Sequence, residues 1–534
     1  MDALQQTRSP QRVFAAVFLL LLAAHVALVA SARILPYQDL PTHLATATIS
    51  RYSGEPGNRF DHFYAIREET PEPNVLHRAF CAAPIFPSVE AANRVYYILY
   101  TLSLPLLLLL IVRRLGGERW HALLGFLLLY NYNVSWGFVG FTMAIPLLLL
   151  LVWLLLRNDD GPLFEVLAAG LLAALFFVHV LAALFGLLLL ALFVALRWDG
   201  RVGPLFRGAA TAAPAAVLVA VWWIGRGDDG GPGTFAYLLE FYRWSYAGTL
   251  ARRWSFLLHD NYHLYGGALG YAVAAAFGLF ILVPLLVGAI RKRAALARRA
   301  TWRRQAAVAS LALAGFACTL GLPNNIPGQW SLWSRFPVFV LLGAVLAGSL
   351  TGVGRGRFFR TAAVVAAVAH LVLWTGYHAE FRRENGGLGP NVFPDGSRGL
   401  VLSDLVSDMY FRGRPTYSHF ADYYIVWKEG IVTTAALEYR FGTLRRKVGY
   451  DELPRNNPYD GIARYYRGRY TDVDLVLVRS GVPAFYAEEL APFRSIWSEG
   501  EWTLLAREPG RQLERAVPEV ARPEANGGRL ERDF

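Results

Sequence analysis

The sequence predicts an α-helical polytopic membrane protein with about eleven transmembrane helices and a C-terminal extracytoplasmic α/β domain. Three observations carry that prediction. Hydrophobic residues make up 55% of the 534 residues while charged ones make up only 17%, against about 25% in an ordinary soluble domain. Apolar runs of membrane-spanning length recur from Phe14 to Tyr377, each able to cross a hydrocarbon core of about 30 Å. Beyond His378 the composition turns to that of a soluble domain.

Taken in order, the apolar segments lie near 13–32, 95–113, 120–137, 139–156, 163–177, 178–197, 207–225, 267–290, 302–320, 332–351 and 358–377. Residues 162–197 read as one long tilted helix or as two, and length favours two, because about 1.5 Å per residue would carry a single helix beyond any bilayer. At the N-terminus, Arg8, Arg12 and the run from Val13 to Ala30 resemble a signal peptide. The run is long for the apolar region of one, so a retained first helix is expected.

Arginine writes the topology. Alternate connections hold Arg113, Arg114 and Arg119; Arg157; Arg197, Arg201 and Arg207; the run from Arg291 to Arg304; and Arg355, Arg357 and Arg360. The opposite short connections, around 138, 178 and 321–331, hold no Arg or Lys. The positive-inside rule then puts the N-terminus in the cytoplasm and the tail outside, as in a multi-pass protein of a bacterial inner membrane. The net charge of +12 is thereby spent on topology, and no basic–aromatic stripe suggests nucleic acid. Cys81 and Cys318 make no metal cluster or disulfide framework, although a single bridge between them is conceivable.

This topology gathers the long loops 33–94 and 226–266, the turn 321–331 and the tail on one face. Group transfer on that face needs a donor that has already crossed the membrane. Directly after the first helix comes Pro36-Tyr-Gln-Asp-Leu-Pro-Thr-His-Leu44, where Asp39 and His43 share one face if the segment is helical. A carboxylate beside an imidazole at the membrane surface can take a proton from an acceptor hydroxyl; the plainer reading is a helix-capping Asp and an interfacial His.

A first helix followed by a long outer loop that opens with an acid resembles the GT-C superfamily of membrane glycosyltransferases, and QDLPTHLATATISRY is similar to the openings of bacterial members with a dolichyl-phosphate-mannose or aminoarabinose transferase-like organisation. The resemblance implies residues 1–377 as the catalytic membrane domain, 378–509 as the outer α/β domain, and Asp39 as catalytic base with His43 beside it. It further implies a polyprenyl-phosphate-linked sugar as donor, the bilayer as partner, and an extracytoplasmic glycan, lipid or protein as acceptor. No cofactor and no metal is required by that chemistry, though a divalent ion is not excluded. The sequence lacks the adjacent Asp-Glu pair of the mannosyltransferase kind.

Other candidates for the donor lipid-phosphate and sugar are Arg335, His179, Arg243, His259, Asp260 and His263. Arg335 is an arginine in an otherwise empty outer charge pattern, and its planar fork suits phosphate; a snorkelling arginine is the rival reading. His179 sits at a turn between apolar runs, as a phosphate contact or a packed histidine. His259-Asp260-x-x-His263 lacks a third metal ligand of defined spacing, so sugar or pyrophosphate contacts suit it better. Asn131–Gly137 reads as a polar interruption lining a cavity. Asp61, Glu68, Glu69 and Glu72 are candidates for a second carboxylate. In the tail, 399–402 and 472–478 read as strands and 491–507 as a hairpin turning at Glu499-Gly500. Ser418-His419 and Asp422 fit acceptor binding or a structural lid, and 510–534 reads as disordered. A polysaccharide polymerase or ligase and a transporter or flippase are the rival functions; the second predicts repeated halves and mid-membrane charges, yet His25 is the one ionisable residue that stands out in a helix centre.

Overall fold

The computed structural model describes residues 2–66, 71–157, 161–225, 249–261, 264–291, 299–325, 331–433, 444–449, 470 and 472–508. Six helices among them are long and apolar enough to cross a membrane: Gln11–Ser31, Val89–Leu115, Val139–Leu156, Val180–Arg197, Gly203–Gly225 and Arg357–Val392. Four shorter apolar helices, Pro162–Val178, Ala268–Pro284, Gln305–Gly321 and Trp333–Gly348, pack among them. Their outward faces carry Leu19, Leu20, Phe206, Ile224, Leu269 and Val365, all exposed. Such an apolar exterior is costly against water and natural against lipid. The protein is a multi-pass membrane protein.

Two expectations change. The segment 120–137 is no transmembrane α-helix: Arg119–Leu128 winds as a 3-10 helix, followed by the four-residue helix Tyr132–Ser135. The reason is position. Trp120 to Asn131 is buried on every side, and irregular backbone survives at membrane depth where protein supplies its hydrogen bonds. Tyr100 Oη donates to the Leu129 carbonyl at 3.0 Å, and Asn131 Nδ2 donates to the Leu128 carbonyl at 2.9 Å. His25 also has company: its ring stacks 6.5 Å from that of His370, both fully buried. Residues 162–197 form two helices that break at His179, whose φ of −167° and ψ of 122° are extended.

Cys81 and Cys318 are free thiols; Cys81 lies 3.4 Å from the His77 ring. Beyond residue 400 the chain builds a five-stranded mixed sheet. Val401–Val406 lies parallel to both Ile431–Val432 and Leu475–Arg479. The antiparallel hairpin Phe493–Glu499 and Trp502–Arg507 completes it, with Gly500 at φ +58° in the turn. A second small sheet ties the first long loop to this tail, Tyr64–Ile66 pairing antiparallel with Leu444–Arg446. Loop and tail therefore meet above one end of the helices.

Candidate active site

Asp39 opens the helix Leu40–Tyr52 yet makes no side-chain cap bond, so the plainer role of a helix-capping aspartate is not the one it plays. Its position is set by the backbone. The amides of Gln38 and Asp39 donate to the carbonyls of Ser135 and Trp136, at 3.2 and 3.0 Å. Gly137, at φ +71°, closes that contact: a Cβ there would stand 2.8 Å from the Asp39 nitrogen and 2.7 Å from that of Leu40. The polar interruption 131–137 thus seats the aspartate.

One turn on, the His43 amide bonds the Asp39 carbonyl at 3.2 Å, as the four-residue spacing requires. The His43 ring meets that of His77 edge-on, centroids 5.9 Å apart. His77 is held by Asn93 Oδ1 at 3.0 Å. From the tail, His419 Nε2 approaches Asp39 Oδ1 at 3.6 Å, and Asp422, fully buried, accepts from the Thr42 hydroxyl at 2.6 Å.

Arg335 enters from the start of the helix Pro337–Gly348. Its guanidinium lies 3.7 Å over the Phe138 ring, and Nη1 stands 3.4 Å from His179 Nε2. Nε donates to the Ser331 carbonyl at 3.2 Å, and Asn133 Nδ2 donates to the Arg335 carbonyl at 3.1 Å. Phe138 adjoins Gly137, so the segment that seats Asp39 also seats Arg335. His179 turns its other nitrogen to its own helix, Nδ1 accepting from the Leu181 amide at 3.2 Å.

Burial governs the protonation of this cluster. It pushes the Asp39 carboxyl up to about 7, with the Arg335 guanidinium pulling the other way; about a quarter of the side chain still reaches open space. Burial, reinforced by His77, His419 and Arg335, lowers His43 to about 3. Burial likewise lowers His77 and His419 to about 4. Near neutrality the cluster therefore holds neutral imidazoles, the Arg335 cation and, at Asp39, a carboxyl poised between its forms.

Of the residues expected from sequence, Asp39, His43, His179 and Arg335 come together. His259 and Asp260 pair with each other at 2.7 Å. Their segment packs against 131–137 and the tail: Asn261 Oδ1 accepts from the Tyr132 amide at 3.4 Å and the Asp260 carbonyl accepts from Arg414 at 3.2 Å. Arg243, His263, Glu68 and Glu69 lie outside the described residues. Glu72 is engaged by Arg78 at 2.9 Å, and Asp61 accepts from the Ser53 hydroxyl. The second carboxylate beside the Asp39 helix is Asp422. Among the described residues no group of three or more His, Cys, Asp or Glu side chains is arranged to hold a metal ion.

No family model matches the chain, and no curated protein does. Among solved structures it is similar to ArnT from Cupriavidus metallidurans. The form bound to undecaprenyl phosphate aligns over 95% of this chain and 99% of that one, at 12% identity and a TM-score of 0.39. The apo form aligns over 94% and 98%, at 11% identity and 0.41.

His77 and His419 join the cluster without a local sequence signal. Ser418-His419 and Asp422 form a polar cluster in the tail sequence, but nothing in it marks Thr42, 380 residues away, as the partner of Asp422. His77 sits in the seven-residue helix Leu76–Ala82 with no spacing to mark it.

Proposed function

We propose that the protein transfers a sugar from a polyprenyl-phosphate carrier to an extracytoplasmic glycan, lipid or protein acceptor, with inversion at the anomeric carbon. The observation that carries this reading is the pairing of an uncapped carboxyl poised near 7 with a buried arginine, both seated by one segment, 131–137. Asp39 takes the proton of the acceptor hydroxyl as its oxygen attacks the anomeric carbon. The bond from that carbon to the phosphate oxygen breaks on the opposite side, and the electron pair leaves with the lipid phosphate. Arg335 meets the charge that develops there. His179 Nε2 lies 3.4 Å from the guanidinium and bounds that side of the cluster; His43 lines the acceptor side, and the His419 ring, 3.6 Å away, bounds the Asp39 carboxyl from the tail. Phosphate is a good leaving group, so the residues suffice without a metal. The orientation of this face away from the cytoplasm follows from the arginine pattern.

A photoactivatable polyprenyl-phosphate probe tests the donor half of this reading in purified, membrane-reconstituted protein. Arg335→Gln should lose crosslinking while Asp39→Asn retains it. Undiminished crosslinking in the Arg335→Gln protein would remove Arg335 from the phosphate site.

A further inference from the structure

We infer that a second, separate site, formed by Arg33 and Arg94, binds the phosphate of an anionic lipid where the tail meets the membrane helices. Arg33 stands two residues beyond the end of the span Gln11–Ser31, and Arg94 lies in the second turn of the helix Val89–Leu115. Both are thus at the boundary where apolar helix gives way to the loops. Between them opens a cavity of about 340 Å³, lined by Arg33, Glu90, Arg94, Pro390, Val426 and Trp427. Glu90 and Arg94 come from the helix Val89–Leu115, Arg33 from the segment after the first span, and Val426 and Trp427 from the tail.

The cavity is built rather than incidental. Gly389 sits where a Cβ would stand 1.6 Å from Arg33 Nη2. Its φ of −177° is open to any residue, so what this position requires is room for the guanidinium. Trp427 is fixed on three sides: its ring stacks on Tyr423 at 4.9 Å and lies 6.2 Å from Phe393, and Nε1 donates to Glu90 Oε1 at 2.9 Å. The acid facing the cavity is therefore already engaged. Among the described residues neither arginine has an ion pair or a side-chain hydrogen bond. Two guanidiniums and one committed carboxylate leave a cationic recess at headgroup height beside a fixed indole. A phosphate diester is the ligand that such a recess suits, by charge and by the fork of guanidinium donors.

The site does not rest on the transferase reading. It has a structural consequence of its own: Trp427 belongs to the helix Tyr423–Lys428, which directly follows His419 and Asp422. A lipid seated there would pin the helix that carries the tail's contribution to Asp39.

The test uses full-length protein in nanodiscs of phosphatidylcholine doped with phosphatidylglycerol, with bound lipid read by native mass spectrometry. Arg33→Gln and Arg94→Gln should each weaken retention of phosphatidylglycerol about fivefold with helical content unchanged, while Asp39→Asn retains it as wild type does. Competition by inorganic phosphate would identify the bare anion as the recognised group. Lack of competition, with retention still lost in both variants, would assign recognition to the lipid-borne phosphate. Equal retention in wild type and both variants, or equal retention of phosphatidylcholine, would overturn the site.

Discussion

At the residue scale, the pocket depends on Gly137 as much as on any charged group. Gly137→Ala pushes a methyl into the amides of Asp39 and Leu40 and adds positive-φ strain of about 1 kcal/mol. It should cut transfer by an order of magnitude or more while the protein still inserts and folds, as judged by its circular dichroism. The elevated Asp39 carboxyl sets a pH dependence. A base pushed up to about 7 is protonated below that value, so transfer should rise as pH climbs through about 7 and level off above it. The sign for stability is opposite: the folded state holds this proton more tightly than the unfolded chain, so the contribution of Asp39 to stability declines between about 4 and 7. Replacing His419 with Ala should shift the kinetic profile, while a purely structural role would lower protein yield and leave the profile in place.

At the element scale, much was legible because membrane helices announce themselves by length and apolarity. The segment 120–137 has the composition of a span but not its structure. Hydropathy cannot distinguish a helix facing lipid from backbone wrapped by protein, and only the latter can afford a 3-10 winding. The Asp39–His43 spacing was legible since it is local. The approach of His419 and Asp422 was not, because it depends on how a sheet begun at Val401 docks on a loop some 350 residues earlier. Arg253 belongs to the same class: fully buried, it donates to the Thr319 and Leu320 carbonyls at 2.9 and 2.8 Å, closing the C-terminal end of the helix Arg299–Gly321. Arg253→Ala leaves those carbonyls without their charged donor and should destabilise the protein by about 2–3 kcal/mol, seen as a lower midpoint in thermal unfolding.

At the scale of the whole molecule, the tail is part of the site. It reaches the first loop through the paired strands Tyr64–Ile66 and Leu444–Arg446, through Thr42 and Asp422, and through Trp427 and Glu90. Asp422→Ala removes the acceptor of the Thr42 hydroxyl and should therefore reduce transfer by loosening the helix Leu40–Tyr52. The arginine pattern of the loops predicts that the tail faces outward; a cysteine placed at the exposed Asp395 should react with an impermeant maleimide in intact spheroplasts, and labelling only after lysis would reverse the topology. All of this turns on Asp39 as the proposed base of a sugar transfer on that outer face. Its most direct test is Asp39→Asn in the native host, with extracytoplasmic glycans and lipids compared by mass spectrometry and protein abundance checked in parallel. The variant, at wild-type abundance, should lose the same sugar as a full deletion; a wild-type glycan profile in the variant beside an altered one in the deletion would show that Asp39 is not the base.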